Sequence, residues 1–263
     1  MTAPVTRGIV VRGDARIEVL AQGKGPLIVM FPSLGRPAED FDDLSRRLAA
    51  AGYCALRPQP RGIGKSSGPM ENLTLHDFSR DVAAVIEANG GGPAVVAGHA
   101  FGNFVARTTA ADFPRLVKAV ALLAATHVWP LPDNLRDSIN KTHQMHLPAE
   151  ERIRHMQHAF FAPGNEPRIW LDGWREDVMH TERAATEATL KEEWWRAGSA
   201  PILDVVPAND ACTPLESRDR YREEFGADRV TVTVIPNAGH ALLPEQPEAV
   251  ATALLDYFRK INF

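Results

Sequence analysis

Asp210 and His240 are the residues whose types and placement most directly suggest chemistry. Asp210 follows the apolar run Ile202 to Val206, in Pro207-Ala208-Asn209-Asp210, and His240 follows the run Val230 to Ile235, in Asn237-Ala238-Gly239-His240. A carboxylate that accepts Nδ1–H of an imidazole fixes the tautomer and stabilises the imidazolium, leaving the other ring nitrogen as a general base. Asp204 is a weaker acid candidate because it lies inside its run rather than beyond it. Upstream, Gly98-His99-Ala100-Phe101-Gly102 follows a third run, Pro93 to Ala97.

Two further patterns are weighed and set aside. Arg61-Gly62-Ile63-Gly64-Lys65-Ser66 ends as a phosphate loop does, but the first glycine of that motif would fall at Gln59. The loop is therefore read as structural. His143-x-x-His146 and His155-x-x-His158 each place two imidazoles on one helical face, and four such groups are enough for zinc. Neither pair is accompanied by a cysteine or a metal-protease signature, so solvated helix faces are expected, and no metal or other cofactor.

These residues need a frame, and the hydrophobic pattern supplies one. Pro26 to Phe31, Tyr53 to Arg57, Pro93 to Ala97, Val117 to Leu123, Ile202 to Val206 and Val230 to Ile235 are short runs of the kind that strands buried on both faces show. Between them lie helical stripes, among them Phe41, Leu44 and Leu48, then Phe78, Val82, Val85 and Ile86 behind a cap-like Thr74 with Asp77 three residues on. The last helix aligns Val250, Leu254, Tyr257, Phe258 and Ile261. Alternation of this sort predicts an α/β fold, with a mostly parallel central sheet and helices on both faces. Gly8 to Arg12 and Arg16 to Leu20 read as an antiparallel pair turning at Gly13-Asp14. The alternation stops over 127–199, a stretch without strand-like runs that holds all five tryptophans. The expected organisation is a core of 1–126 and 200–263, interrupted by a helical cap.

Composition narrows the function classes. A net charge of −4 with scattered basic residues gives no footprint for nucleic acid. No apolar run approaches the length that spans a bilayer. Two cysteines, Cys54 and Cys212, make no disulfide framework, and Met1 to Val11 lacks a signal-peptide pattern. A cytoplasmic monomer or homodimer acting on a small molecule is expected.

In this frame the chain resembles the α/β-hydrolase superfamily, over nearly everything outside the insertion. Gly98-His99-Ala100-Phe101-Gly102 is similar to the nucleophile elbow, in which flanking glycines relieve the crowding of a strained strand-to-helix turn. The order elbow, Asp210, His240 is the family's order, and Arg61 to Ser66 is similar to its R-G-x-G-x-S loop. Phe31-Pro32-Ser33-Leu34-Gly35-Arg36 departs from the family, which usually has His-Gly where Pro32 and Ser33 stand. The resemblance implies an α/β-hydrolase fold with a helical lid, and an oxyanion hole formed by the backbone N–H groups of Leu34 and Phe101. It also implies His240 as base and Asp210 as its partner, since the family's alternative acid site offers only Ala124 and Ala125.

The departure that matters is Ala100, at the position of the nucleophile. Alanine has neither a lone pair nor a proton to transfer, so a covalent acyl-enzyme through this residue is impossible. Three readings remain open: a Ser→Ala inactivated form, a His240–Asp210 dyad working without a nucleophile, and a catalytically silent binder of a small molecule. The enzyme readings point to an esterase- or lactonase-like hydrolase for a small, largely apolar carbonyl compound (an ester, a lactone or a diketone with a cleavable C–C bond). Trp129, Trp174 and Trp195 are expected to line its pocket, with packing of Trp194-Trp195 against the core as the competing role.

Overall fold

The computed structural model describes residues 3–125 and 131–263. Its frame is an eight-stranded sheet in the order β1-β2-β4-β3-β5-β6-β7-β8. β1 (Val5–Arg12) and β2 (Ala15–Gly23) form an antiparallel pair, and β2 is also antiparallel to β4. From there β3 (Leu27–Phe31), β4 (Cys54–Pro58), β5 (Ala94–His99), β6 (Val117–Leu123), β7 (Ile202–Pro207) and β8 (Val230–Ile235) run parallel. The apolar runs become strands because alternate residues bury opposite faces. In β3, Val29 and Phe31 join one core layer and Ile28 and Met30 the other. The first pair is longer than its apolar residues suggest, since β1 is largely exposed and an antiparallel edge pair tolerates a wet face.

Helices cover both faces. α1 (Asp42–Ala50) packs with the C-terminal helix on the face holding Ile28 and Met30. α2 (Leu75–Ala88) and α3 (Gly102–Asp112) cover the other. The start of α2 is fixed as its sequence predicts: Thr74 and Asp77 form a capping box, with Thr74 N–H donating to Asp77 Oδ2 at 2.9 Å. Between β6 and β7 the chain forms α4 (Asp133–Thr142), α5 (Ala149–Phe160), α6 (Glu176–Glu187) and the short α7 (Lys191–Trp194), with no strand among the described residues. α8 (Arg220–Phe225), α9 (Leu242–Glu245) and α10 (Pro247–Lys260) complete the fold. The inserted helices have their own apolar cluster, where Met156, Phe160, Trp170 and Trp174 meet Cys212 and Ala241 of the sheet loops. No helix among the described residues is long and apolar enough to cross a membrane.

The turn from β5 into α3 sets the position of everything that follows. β5 runs two residues beyond the apolar run, through Gly98 to His99, and α3 starts at Gly102, so Phe101 is its cap residue rather than its first helical one. Ala100 between them is left-handed, at φ 48°. A β-carbon at Gly98 would overlap the carbonyl of Gly102, and one at Gly102 would overlap the carbonyl of Phe31 in the neighbouring strand. Both obstacles are backbone and cannot swing aside. Gly102→Ala should therefore destabilise the protein by about 3 kcal/mol, the upper end for overpacking. Urea denaturation checks this, and a loss below about 1 kcal/mol would mean that the α3–β3 contact is looser than described.

Candidate active site

Each component of the site sits on a loop at the carboxyl end of a strand. Asp210 lies beyond β7 and His240 beyond β8, and both side chains are buried. His240 Nδ1 pairs with Asp210 Oδ2 at 2.9 Å. The other oxygen, Oδ1, accepts the N–H of Cys212 at 2.7 Å, so the carboxylate is held at both ends. Burial opposes a charge on the His240 ring, but the adjoining Asp210 carboxylate, with a further contribution from Cys212, outweighs it and raises the imidazole's pKa well above the ordinary value. Asp204 is buried elsewhere, and burial lifts its pKa to about 7 despite the nearby Arg107. The described geometry thus pairs His240 with Asp210.

Three contacts immobilise the His240 loop. Phe160 of α5 stacks on the imidazole with centroids 5.6 Å apart. Glu245 accepts the N–H of Gly239 through Oε2 and that of Ala162 through Oε1, each at 2.7 Å, tying the loop to the inserted helices. His99 donates Nε2–H to the carbonyl of His240 at 2.7 Å. Burial first, and then the charge of His240, pushes the His99 pKa down to about 3, so this second imidazole stays neutral and acts as a strut.

The turn after β3 is held with similar care. Arg36 N–H closes it onto Ser33 O at 3.0 Å, and Gly35 takes φ 63°. Gly35 N–H donates to Glu182 Oε2 at 2.7 Å, although Glu182 belongs to α6. Glu182 is fully buried, which raises its pKa well above the carboxylate range. The Arg36 guanidinium binds both oxygens of Asp40 at 2.8 and 2.7 Å and lies 4.9 and 4.7 Å from the ring centroids of Trp170 and Trp174. The N–H groups of Leu34 and Phe101 donate to no protein acceptor among the described residues.

A cavity of about 770 Å³ joins these parts. Leu34, Ala100, Phe101, Cys212 and His240 line it from the sheet side, and Phe160, Trp174, Trp194 and Trp195 from the inserted helices. Of the tryptophans expected there, Trp174 and Trp195 are present, and Trp129 lies outside the described residues. Trp195 also serves the core, packing on Tyr221 at 5.2 Å and donating Nε1–H to Glu224 at 2.6 Å, so lining and packing coexist.

His146 and His158 are exposed, as expected of solvated helix faces, and the other member of each pair is more enclosed. His143 is buried and lies 6.5 Å from the Trp174 ring, because α4 packs onto the other inserted helices. His155 and His158 instead converge on the hydroxyl of Ser138, at 3.1 and 2.9 Å. Among the described residues, Asp210, Cys212 and His240 have metal-ligating atoms within 4.8 Å of one another. They fit an ion poorly, since Oδ2 and Oδ1 of Asp210 are engaged by His240 and by Cys212 N–H. Sequence reasoning gave no role to His99, Cys212, Glu182 or Glu245. His99 stood within the elbow motif, but nothing in the linear sequence ties the others to the site.

The sequence matches a family model described as the alpha/beta hydrolase family over residues 28–253. The 2-(acetamidomethylene)succinate hydrolase of Mesorhizobium japonicum is 29% identical, over 93% of this chain and 92% of that protein. An esterase structure from Exiguobacterium antarcticum superposes with a TM-score of 0.79 at 18% identity, covering 97% of this chain and 100% of the other. The structure of E-2-(acetamidomethylene)succinate hydrolase gives a TM-score of 0.76 at 20% identity, covering 97% and 100%. At these identities the two structures speak to the fold, which is the α/β-hydrolase fold.

Because Asp210 is the largest of the contributions that favour a proton on His240, Asp210→Asn should lower the His240 pKa. Imidazole NMR titration should place the wild-type midpoint above the ordinary histidine value and the variant's below the wild type's. An unchanged midpoint would mean that another group holds the proton.

Proposed function

Since the chain belongs to the alpha/beta hydrolase family, we propose that it is a hydrolase-type enzyme for a small, largely apolar carbonyl compound, with His240 and Asp210 working as a dyad without a side-chain nucleophile. The observation that carries this reading is the buried 2.9 Å bond between His240 and Asp210, with His240 on the wall of a cavity that Leu34 and Phe101 also line. In an esterase or lactonase reaction, His240 Nε2 would take a proton from water as the water oxygen attacks the carbonyl. The N–H groups of Leu34 and Phe101 would stabilise the oxyanion. The imidazolium, stabilised by Asp210, would then return the proton to the leaving group as the tetrahedral intermediate collapses. Cleavage of a diketone C–C bond would follow the same proton path, with the carbanion as leaving group. The cavity volume suits a drug-sized molecule, and its aromatic lining favours an apolar body.

A second reading rests on Ala100 itself, whose left-handed turn would present a serine well: the chain would be the inactive form of a serine hydrolase. Activity against p-nitrophenyl acetate and a small lactone panel separates the readings. The dyad predicts turnover that organophosphonates do not block and that His240→Ala lowers by about 10²- to 10⁴-fold. Ala100→Ser should add a phosphonate-sensitive activity that also needs His240. Activity appearing only with serine at position 100 would replace the dyad by the inactivated form. Turnover indifferent to His240→Ala, or absent from both proteins, would sink the hydrolase reading and leave a small-molecule binder.

A further inference from the structure

The cavity wall contributed by α6 carries Met179, Arg183, Thr186 and Glu187, which share one helical face. Arg183 stands out among them. Its side chain is half-buried, yet its hydrogen-bond partner among the described residues is a single amide oxygen, Asn140 Oδ1, at 3.4 Å. No carboxylate among the described residues lies within ion-pair distance of it, and the attraction it does feel, from Glu187 one turn further along the helix, comes from an exposed side chain. Three other sheltered arginines are better satisfied. Arg36 and Arg61 each grip a carboxylate with two nitrogens, and Arg152 binds two backbone carbonyls at 2.8 and 2.7 Å. A guanidinium removed from water is normally matched by such partners.

The surroundings define what would match it. Arg136 and Lys191 also line the cavity, so three cations face the one carboxylate of Glu187. This local excess opposes the chain's net charge of −4. Arg136 is engaged by Asp133 and Lys191 lies over the Trp195 ring, which leaves Arg183 as the least compensated of the three. The neighbouring wall is apolar, with Leu131, Ile139, Trp174 and Trp194. A planar guanidinium fork beside an apolar wall is complementary to a carboxylate on an apolar body.

We infer that Arg183 is the anion-recognition residue of this cavity, and that its ligands are small carboxylates bearing an alkyl or aryl body. The inference rests on the cavity being the substrate site but not on the dyad chemistry. Binding therefore tests it without turnover. Quenching of tryptophan fluorescence, or calorimetry, would compare 3-phenylpropionate with its neutral isostere 3-phenylpropionamide, and octanoate with octanamide. The carboxylates should bind about tenfold or more tightly than the amides, as a charge-assisted pair requires. Arg183→Gln should abolish that preference while leaving amide binding within about twofold, and Arg183→Lys should retain part of it. Equal binding of acids and amides by the wild type, failure of both acids to bind, or an Arg183→Gln variant that keeps the acid preference would each overturn the inference. The wild-type comparison decides the matter even if the variants fold poorly. Repeating it on His240→Ala separates the two proposals: a preserved acid preference upholds this site whatever happens to turnover, whereas its loss shows that His240, not Arg183, holds the anion.

Discussion

The backbone turning out of β5 passes so close to its neighbours that neither Gly98 nor Gly102 has room for a β-carbon. That closeness fixes the direction of α3 and forces Ala100 into the left-handed region. It also places Phe101, whose N–H donates to no protein acceptor among the described residues, on the wall of the cavity shared with Leu34 and His240. A larger residue at either glycine would push α3 away from β3 and pull one wall of the site with it.

Around that turn, the inserted helices are structural partners of the site as well as its cover. Glu182 from α6 reaches Gly35 beside Leu34, Phe160 from α5 lies against His240, and Glu245 holds Gly239 to Ala162. Arg36 adds a cation–aromatic stack on Trp170 and Trp174. Each contact joins an inserted residue to one of the loops that would carry catalysis. Displacing the insertion would therefore loosen the turn after β3 and the His240 loop together. Burial of the Glu182 carboxyl raises its pKa, the direction that lessens the cost of an isolated buried charge.

The electrostatics of the site follow the same economy. Two imidazoles lie 5.8 Å apart, and burial alone would keep both neutral. Only His240 has a carboxylate beside it, so it is the one whose protonated form is favoured, while His99 remains a neutral donor to the His240 carbonyl. This division of labour survives with alanine at position 100, because no part of it uses the nucleophile's side chain.

The sequence by itself determined the strands, the order in which the elbow, Asp210 and His240 occur, and the break in the alternation after β6. These are local signals: apolar runs, glycine spacing and a capping box are written in neighbouring residues, and chain order follows from them. The pairing of Asp210 with His240 was also legible, since both follow successive parallel strands whose carboxyl ends must adjoin. The reach of Glu182 to Gly35 was not, nor was the neutral role of His99, the burial of His143, or the poorly satisfied Arg183 on the cavity wall. Those depend on which helix face meets which loop across long separations in sequence. Only tertiary packing decided them, because burial and the distance to a charged partner, rather than residue type, set what a titratable side chain does.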